Sequence, residues 1–179
     1  MKQKTSNDEL NRLTEEEFKA TKKLPVVLVL DNVRSMHNVG AAFRTADAFL
    51  IESIYLCGIT AKPPHREIEK TAIGATQTVT WKHFENTMDA IAKLKTNGYK
   101  VNTVEQTDEK TWLQDVEVNE HEKIALVFGH EMNGVALEVV QAADANIEIP
   151  QWGSKHSLNI SVSVGVVLWE VVKKMQFYH

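Results

Sequence analysis

After Pro25 the chain runs Val26-Val27-Leu28-Val29-Leu30, five residues with no polar side chain among them and three of the five β-branched. A strand with one face in water alternates apolar and polar positions. A run without alternation needs cover on both faces, the situation of a strand inside a parallel sheet flanked by helices. Segments of similar character recur at 53–59, 77–81, 99–104, 124–128 and 147–150. Helical spacing fills the stretches between. From 39 to 49, Val39, Ala42, Phe43, Ala46 and Phe49 or Leu50 share one stripe, with Asn38 available as the cap and Arg44 off the stripe. From 86 to 96, Ile91 and Leu94 turn inward, and Gly98 follows where a left-handed cap is easiest. The alternation predicts an α/β fold: a mainly parallel sheet with helices on both faces and a binding crevice beyond the strand C-termini.

The first 24 residues read differently. Lys2, Lys4, Arg12, Lys19, Lys22 and Lys23 are interspersed with Asp8, Glu9, Glu15, Glu16 and Glu17. Ser6-Asn7-Asp8-Glu9 and Thr14-Glu15-Glu16-Glu17 are both capping-box sequences, and Leu13 and Phe18 flank the second at the positions of a hydrophobic staple. These features predict an N-terminal helical extension, 1–24, with a mobile extreme terminus, docked on a single domain at 25–179.

Composition narrows the class. With 43% hydrophobic and 25% charged residues, 8 Gly and 4 Pro, the chain is neither disordered nor collagen-like. A formal net charge of -4 excludes a polybasic coat, so any nucleic-acid contact must use a local patch. The single cysteine, Cys57, makes neither an internal disulfide nor a multi-cysteine metal site, and its apolar strand suits a core thiol better than a nucleophile. No stretch reaches the roughly 18 apolar residues a membrane span needs. The expectation is a cytoplasmic protein with no membrane and no metal.

The common nucleotide and hydrolase signatures are missing. No G-x-G-x-x-G follows the first strand, no Walker A sequence occurs, and no G-x-S-x-G elbow is present. His130-Glu131 opens like a zinc-protease helix, but Gly134 stands where the second histidine belongs. Three segments nevertheless place polar residues where a fold alone would not ask for them. They are 31–49, containing Asn38, Gly40 and Arg44; 127–135, containing Gly129, Glu131 and Gly134; and 147–164, containing Ile149-Pro150 and Ser157-Leu158-Asn159-Ile160-Ser161.

In this order the three segments resemble the motifs of the SpoU (TrmH-like) family of SPOUT methyltransferases: N-x-G…R, G-x-E-x-x-G and I-P…S-L-N-x-S. Gln151-Trp152 replaces the Met-rich wording common after Ile-Pro, and Ser163 stands where Ala is frequent. Neither change touches the matched polar residues.

The resemblance implies an S-adenosylmethionine-dependent RNA 2′-O-ribose methyltransferase, with a C-terminal deep trefoil knot and a homodimeric assembly. It implies tRNA as substrate ahead of rRNA. It assigns Arg44 to the ribose hydroxyl, Asn38 to the nucleotide, Glu131 to orienting Arg44 or the substrate, and Ser157 and Asn159 to the polar wall. Cofactor contacts are expected from Thr103, Val104, Glu105, Gly129, Ile149 and Leu158. A catalytically silent RNA-binding protein of the same fold is the rival reading. Trp152 suits either stacking or a dimer seam. Lys62-Pro63-Pro64-His65-Arg66 is a rigid basic loop that reads evenly as an RNA-backbone clamp or as solvated surface. The apolar segment at 158–174 predicts a helix buried on more than one face.

Overall fold

The computed structural model describes residues 4–5, 10 and 12–175. The capping box at 6–9 and the extreme terminus lie outside them. The second box forms as expected: Glu17 N–H donates to the Thr14 hydroxyl at 3.2 Å and Thr14 N–H to the Glu17 carboxylate at 2.8 Å, starting α1 (Glu15–Ala20). Phe18 is buried, whereas Leu13 stays exposed, so the staple pair does not close over both side chains.

Among the described residues seven strands make one sheet: β1 (Leu24–Asp31), β2 (Ile51–Cys57), β3 (Trp81–Phe84), β4 (Lys100–Val104), β5 (Thr111–Trp112), β6 (Ile124–Phe128) and β7 (Ala145–Glu148). Their order is β3-β2-β1-β6-β4-β7-β5, and every pairing is parallel. The remaining helices are α2 (Met36–Ala48), α3 (Arg66–Ala72), α4 (Ala75–Thr78), α5 (Thr87–Thr96), α6 (Leu137–Ala142) and α7 (Ile160–Lys174).

The period-2 geometry of β1 explains its uninterrupted apolar run. Leu28 and Leu30 point into one core with Phe43 of α2, Ile68 of α3 and Leu168 of α7. Val27 and Val29 point into a second core with Ile91 and Leu94 of α5 and Val139 of α6. Both sheet faces are therefore covered, and β1 with its neighbour β6 is buried along its length.

Three elements differ from the sequence reading. Residues 77–81 do not form a strand. Thr78 is the last residue of α4, and β3 begins at Trp81. The Thr76 hydroxyl donates to Glu69 of α3 at 2.8 Å and the Thr78 hydroxyl to Asp47 of α2 at 2.5 Å, so tertiary bonds override the β-propensity of this segment. Asn38 does not cap α2. Ser35 does, accepting from Asn38 N–H at 3.3 Å, and the helix starts three residues before Val39. Finally, α7 starts at Ile160 and not at 158, because Asn159 caps it; it buries Val164, Val167, Leu168 and Val171 and leaves Val162, Val166 and Trp169 exposed on the single chain.

Candidate active site

The second motif is a tight loop leaving β6. His130 and Gly134 exchange backbone hydrogen bonds at 2.9 and 2.8 Å, folding the intervening residues back on themselves. A Cβ at Gly129 would overlap the Gly134 carbonyl carbon and the Val135 nitrogen, so this turn closes only around a glycine. The loop is also tied to β4: Glu105, just past the strand, accepts from Val135 N–H at 2.7 Å. The His130 ring stays within its own loop, with Nδ1 accepting from Met132 N–H at 3.0 Å.

The fold directs Glu131 out of this loop toward the start of α2. Its carboxylate accepts from three donors: Arg34 N–H at 3.0 Å, Ser35 N–H at 2.9 Å and the Asn38 side-chain amide at 2.9 Å. Burial opposes ionisation, but the hydrogen bonds from Asn38, Ser35 and Arg34 outweigh it and hold the carboxyl below the ordinary glutamate value. The other end of the Asn38 amide reaches the third motif, where Asn38 Oδ1 accepts from Asn159 Nδ2 at 3.3 Å. Asn159 in turn caps α7, accepting from Ser161 N–H at 2.8 Å and from the Ser161 hydroxyl at 2.6 Å. A continuous polar chain, Ser161–Asn159–Asn38–Glu131, thus joins the three motifs across 121 residues of sequence separation.

Beside this chain lies a cleft of about 520 Å³ beyond the C-terminal ends of β4, β6 and β7. Val104, Phe128, Ile147, Ile149 and Leu158 give it apolar walls, while Glu105, Glu131, Ser157 and Asn159 supply polar ones. Gln106 closes one side by donating its amide to the His156 carbonyl at 2.7 Å. The size and the mixed lining are those of a site for a small organic molecule.

Of the eleven residues singled out from the sequence, eight line this cleft: Glu131, Ser157, Asn159, Val104, Glu105, Gly129, Ile149 and Leu158. Asn38 joins it through its bonds to Glu131 and Asn159. Thr103 does not reach it; its buried hydroxyl donates to Asn146 Oδ1 at 2.5 Å inside the sheet. Arg44 does not reach it either. It is exposed on α2, about 9 Å along the helix from Asn38, and makes no hydrogen bond or ion pair with any described residue. Sequence reasoning missed the backbone N–H groups of Arg34 and Ser35 as partners of Glu131, because a backbone donor leaves no mark on residue identity. It also missed the Phe128 and Ile147 floor, which the strand-end position of those residues signals.

Among the described residues no cluster of His, Cys, Asp or Glu could hold a metal ion, and no helix is long and apolar enough to cross a membrane. The family described as the SpoU rRNA Methylase family matches residues 25–169. A tRNA (guanosine(18)-2′-O)-methyltransferase of Aquifex aeolicus is 32% identical over 93% of this chain and 77% of its own length. A 23S rRNA (guanosine-2′-O-)-methyltransferase RlmB of Haemophilus influenzae is 33% identical over 93% of this chain and 67% of its own. The crystal structure of an AdoMet-bound rRNA methyltransferase from Sinorhizobium meliloti superposes with a TM-score of 0.80 at 25% identity, covering 90% of this chain and 61% of that longer one.

Proposed function

The chain belongs to the SpoU rRNA methylase family, and on that premise we propose that it methylates a ribose 2′-hydroxyl of RNA with S-adenosylmethionine held in the β4–β6–β7 cleft. The observation that carries the reading is the polar chain Glu131–Asn38–Asn159, which draws all three motifs to the rim of one cleft. The reading keeps tRNA ahead of rRNA, as the sequence resemblance implies; relatives that modify each match this chain at similar identity, 32% and 33%, so both classes of RNA fit.

The residues present fit the methyl donor. A cleft of about 520 Å³ suits a nucleoside-sized ligand, and the missing Cβ at Gly129 lets the 130–134 turn close and form one of its walls. Ile149, Leu158 and Phe128 would hold the adenine by apolar contact; Val104 and Glu105 would border the rest. When bound, S-adenosylmethionine supplies an electrophilic methyl group suited to in-line displacement by the ribose oxygen.

The chain's own groups position the hydroxyl and manage its charge. Glu131 fixes Asn38, and Asn38, Ser157 and Asn159 present amide and hydroxyl groups to the nucleotide. As a guanidinium, Arg44 acts as a cation and not as a base. It therefore serves as a fixed cation that stabilises the ribose oxygen as charge develops, while the hydroxyl proton passes to phosphate or water.

Arg44 stands away from its own cleft, and the reading extends to a homodimer in which Arg44 of one copy serves the cleft of the other. Support comes from the exposed side of α7, where Val166 and Trp169 border an apolar groove of about 450 Å³ with Leu113, Ile149, Pro150 and Trp152. Phe49, the residue that ends α2, packs at a tilt against Trp169 with ring centroids 6.4 Å apart, which brings the C-terminal end of the helix that carries Arg44 to that groove. The same reading takes 25–179 as the catalytic domain with 1–24 appended, places a trefoil knot in the C-terminal part, and locates the protein with its RNA in the cytoplasm. The insertion of β7 between β4 and β5, followed by the return of α7 to α2, supports the knot.

The test is to incubate the protein with methyl-labelled S-adenosylmethionine and separated tRNA and rRNA lacking the modification, then hydrolyse the RNA in alkali. A methylated 2′-oxygen cannot attack its phosphate. Label in alkali-resistant dinucleotides is expected; label in mononucleotides would mean base methylation and overturn the reading.

A further inference from the structure

Basic groups are outnumbered in this chain, 20 Lys+Arg to 24 Asp+Glu, so a cluster of unpaired cations is unlike the average surface. Such a cluster stands beside the site. The loop after β2 is fastened to the loop after β1: Ile59 N–H donates to Asn32 Oδ1 at 3.1 Å and Val33 N–H to the Thr60 hydroxyl at 3.0 Å. Next, α3 lies close along the first turns of α2. The Thr71 hydroxyl donates to the His37 carbonyl at 3.0 Å, and a Cβ at Gly40 would overlap that hydroxyl and the Ile68 carbonyl. These ties hold Lys62 and Arg66 at the N-terminal end of α2, where Asn38 meets Glu131. Arg34 is on the same edge, its backbone fixed by Glu131 at 3.0 Å.

The side chains of Arg34, Lys62 and Arg66 are exposed and make no hydrogen bond or ion pair with any described residue. The nearby carboxylates are already engaged: Glu67 by Lys70 at 2.7 Å and His37 at 3.0 Å, Glu69 by Thr76, and Glu131 by its three donors. Glu69 and Glu131 keep their negative charge, since hydroxyl and amide donors do not neutralise a carboxylate, but among the described residues neither forms an ion pair with Arg34, Lys62 or Arg66, which leaves these three cations open to an outside anion. The intervening loop is also stiff, because Pro63 and Pro64 restrict φ and the His65 ring anchors α3 by accepting from Glu67 N–H at 3.2 Å. Cations held on a stiff support lose little freedom when they meet an anion.

We propose that Arg34, Lys62 and Arg66 form a cationic rim that grips backbone phosphates of the RNA strand flanking the target ribose. The proposal rests on the methyltransferase reading for its choice of RNA, and it assigns these residues to positioning rather than to the reaction.

The test compares the full chain with a Lys62→Ala/Arg66→Ala variant and with Lys82→Ala/Lys93→Ala, an equal loss of charge over the Tyr55 and Phe84 rings near the β3 edge. Binding of unmodified tRNA and of rRNA is measured against salt, alongside S-adenosylmethionine affinity and steady-state kinetics. Loss of two phosphate contacts should make the log–log salt slope shallower by roughly 1.4 to 1.8 and raise KM for tRNA about tenfold. The slope of the control pair, the cofactor affinity and kcat should stay near wild type. An unchanged slope in the rim variant, or an equal change in the control, overturns the proposal, as does a wild-type chain that binds neither tRNA nor rRNA. A wild-type chain that binds tRNA through this rim but transfers no methyl group would support the rim and sink the methyltransferase reading.

Discussion

The Asn38 side chain donates to Glu131 at 2.9 Å across 93 positions of sequence, and its other end accepts from Asn159 at 3.3 Å. One amide thereby spans the three motif segments, with donor and acceptor each used once. Asn38→Asp cannot donate at Nδ2 and sets a second carboxylate against Glu131. It should lower kcat/KM at least tenfold, on the scale of an interaction with a charged group worth about 1.5–3 kcal/mol. Asn38→Ala and Asn159→Ala should combine less than additively, because each breaks the same chain. Kinetics of the two single variants and the double variant check this; strict additivity would mean that the chain is not a unit.

The depressed pKa of Glu131 gives a pH signature. A carboxyl held below its unfolded value adds stability that is fully present above the ordinary 4.5 and is lost as pH falls through the folded value. Glu131→Gln should therefore be less stable than wild type at pH 7, and the gap should narrow as pH falls below about 4.5. Urea melts of both proteins at pH 7 and pH 4 measure it. A gap that widens in acid would contradict the hydrogen-bonded carboxylate seen here.

Gly129→Ala forces a Cβ into the backbone of Gly134 and Val135, so the His130–Gly134 turn must open. The cleft wall moves with it. We expect S-adenosylmethionine affinity to fall tenfold or more while the far core of Ile91, Leu94 and Val139 keeps the chain folded. Calorimetric titration together with a thermal melt separates loss of the site from loss of the fold.

The strands legible in the sequence were those whose burial is set by their own composition. β1 and β6 announce themselves by unbroken apolar runs, and the Thr14 box and Gly98 fix their helix ends locally. The elements it did not disclose are short and held by distant partners. α4 depends on carboxylates of α2 and α3, and the two-residue β5 depends on the edge of β7. Asn38 read as a cap because capping is a local preference, whereas Glu131 competes for its amide from another loop. Thr103 read as a cleft residue because strand ends are uncertain by a residue or two; its hydroxyl is instead paired with Asn146.

Cys57 separates ribose methylation from mechanisms that need a thiolate. Burial pushes its thiol up to about 12, with the neighbouring Asp31 adding to the effect, so the group stays protonated and unreactive near neutral pH. The native protein should resist alkylation at pH 8, and Cys57→Ala should retain methyl transfer while losing about 1–2 kcal/mol of stability from the cavity. Loss of activity in a folded Cys57→Ala protein would point to a covalent role for the thiol.

Arg44 tests the chemistry most directly, since it is exposed, unpartnered among the described residues and apart from its own cleft. Arg44→Lys keeps the positive charge but loses the planar fork that can contact the ribose oxygen and a phosphate together. If Arg44 stabilises charge developing on that oxygen, the variant should lose at least tenfold in kcat, about 1.4 kcal/mol of transition-state stabilisation, with little change in the affinity for RNA or S-adenosylmethionine. Mixing Arg44→Ala with a cleft-defective Gly129→Ala protein adds a second readout. In a homodimer whose Arg44 serves the opposite cleft, the mixed dimer has one intact site and recovers activity that neither parent shows. If each chain used its own Arg44, every mixed dimer would carry a defect in both sites and no activity would return.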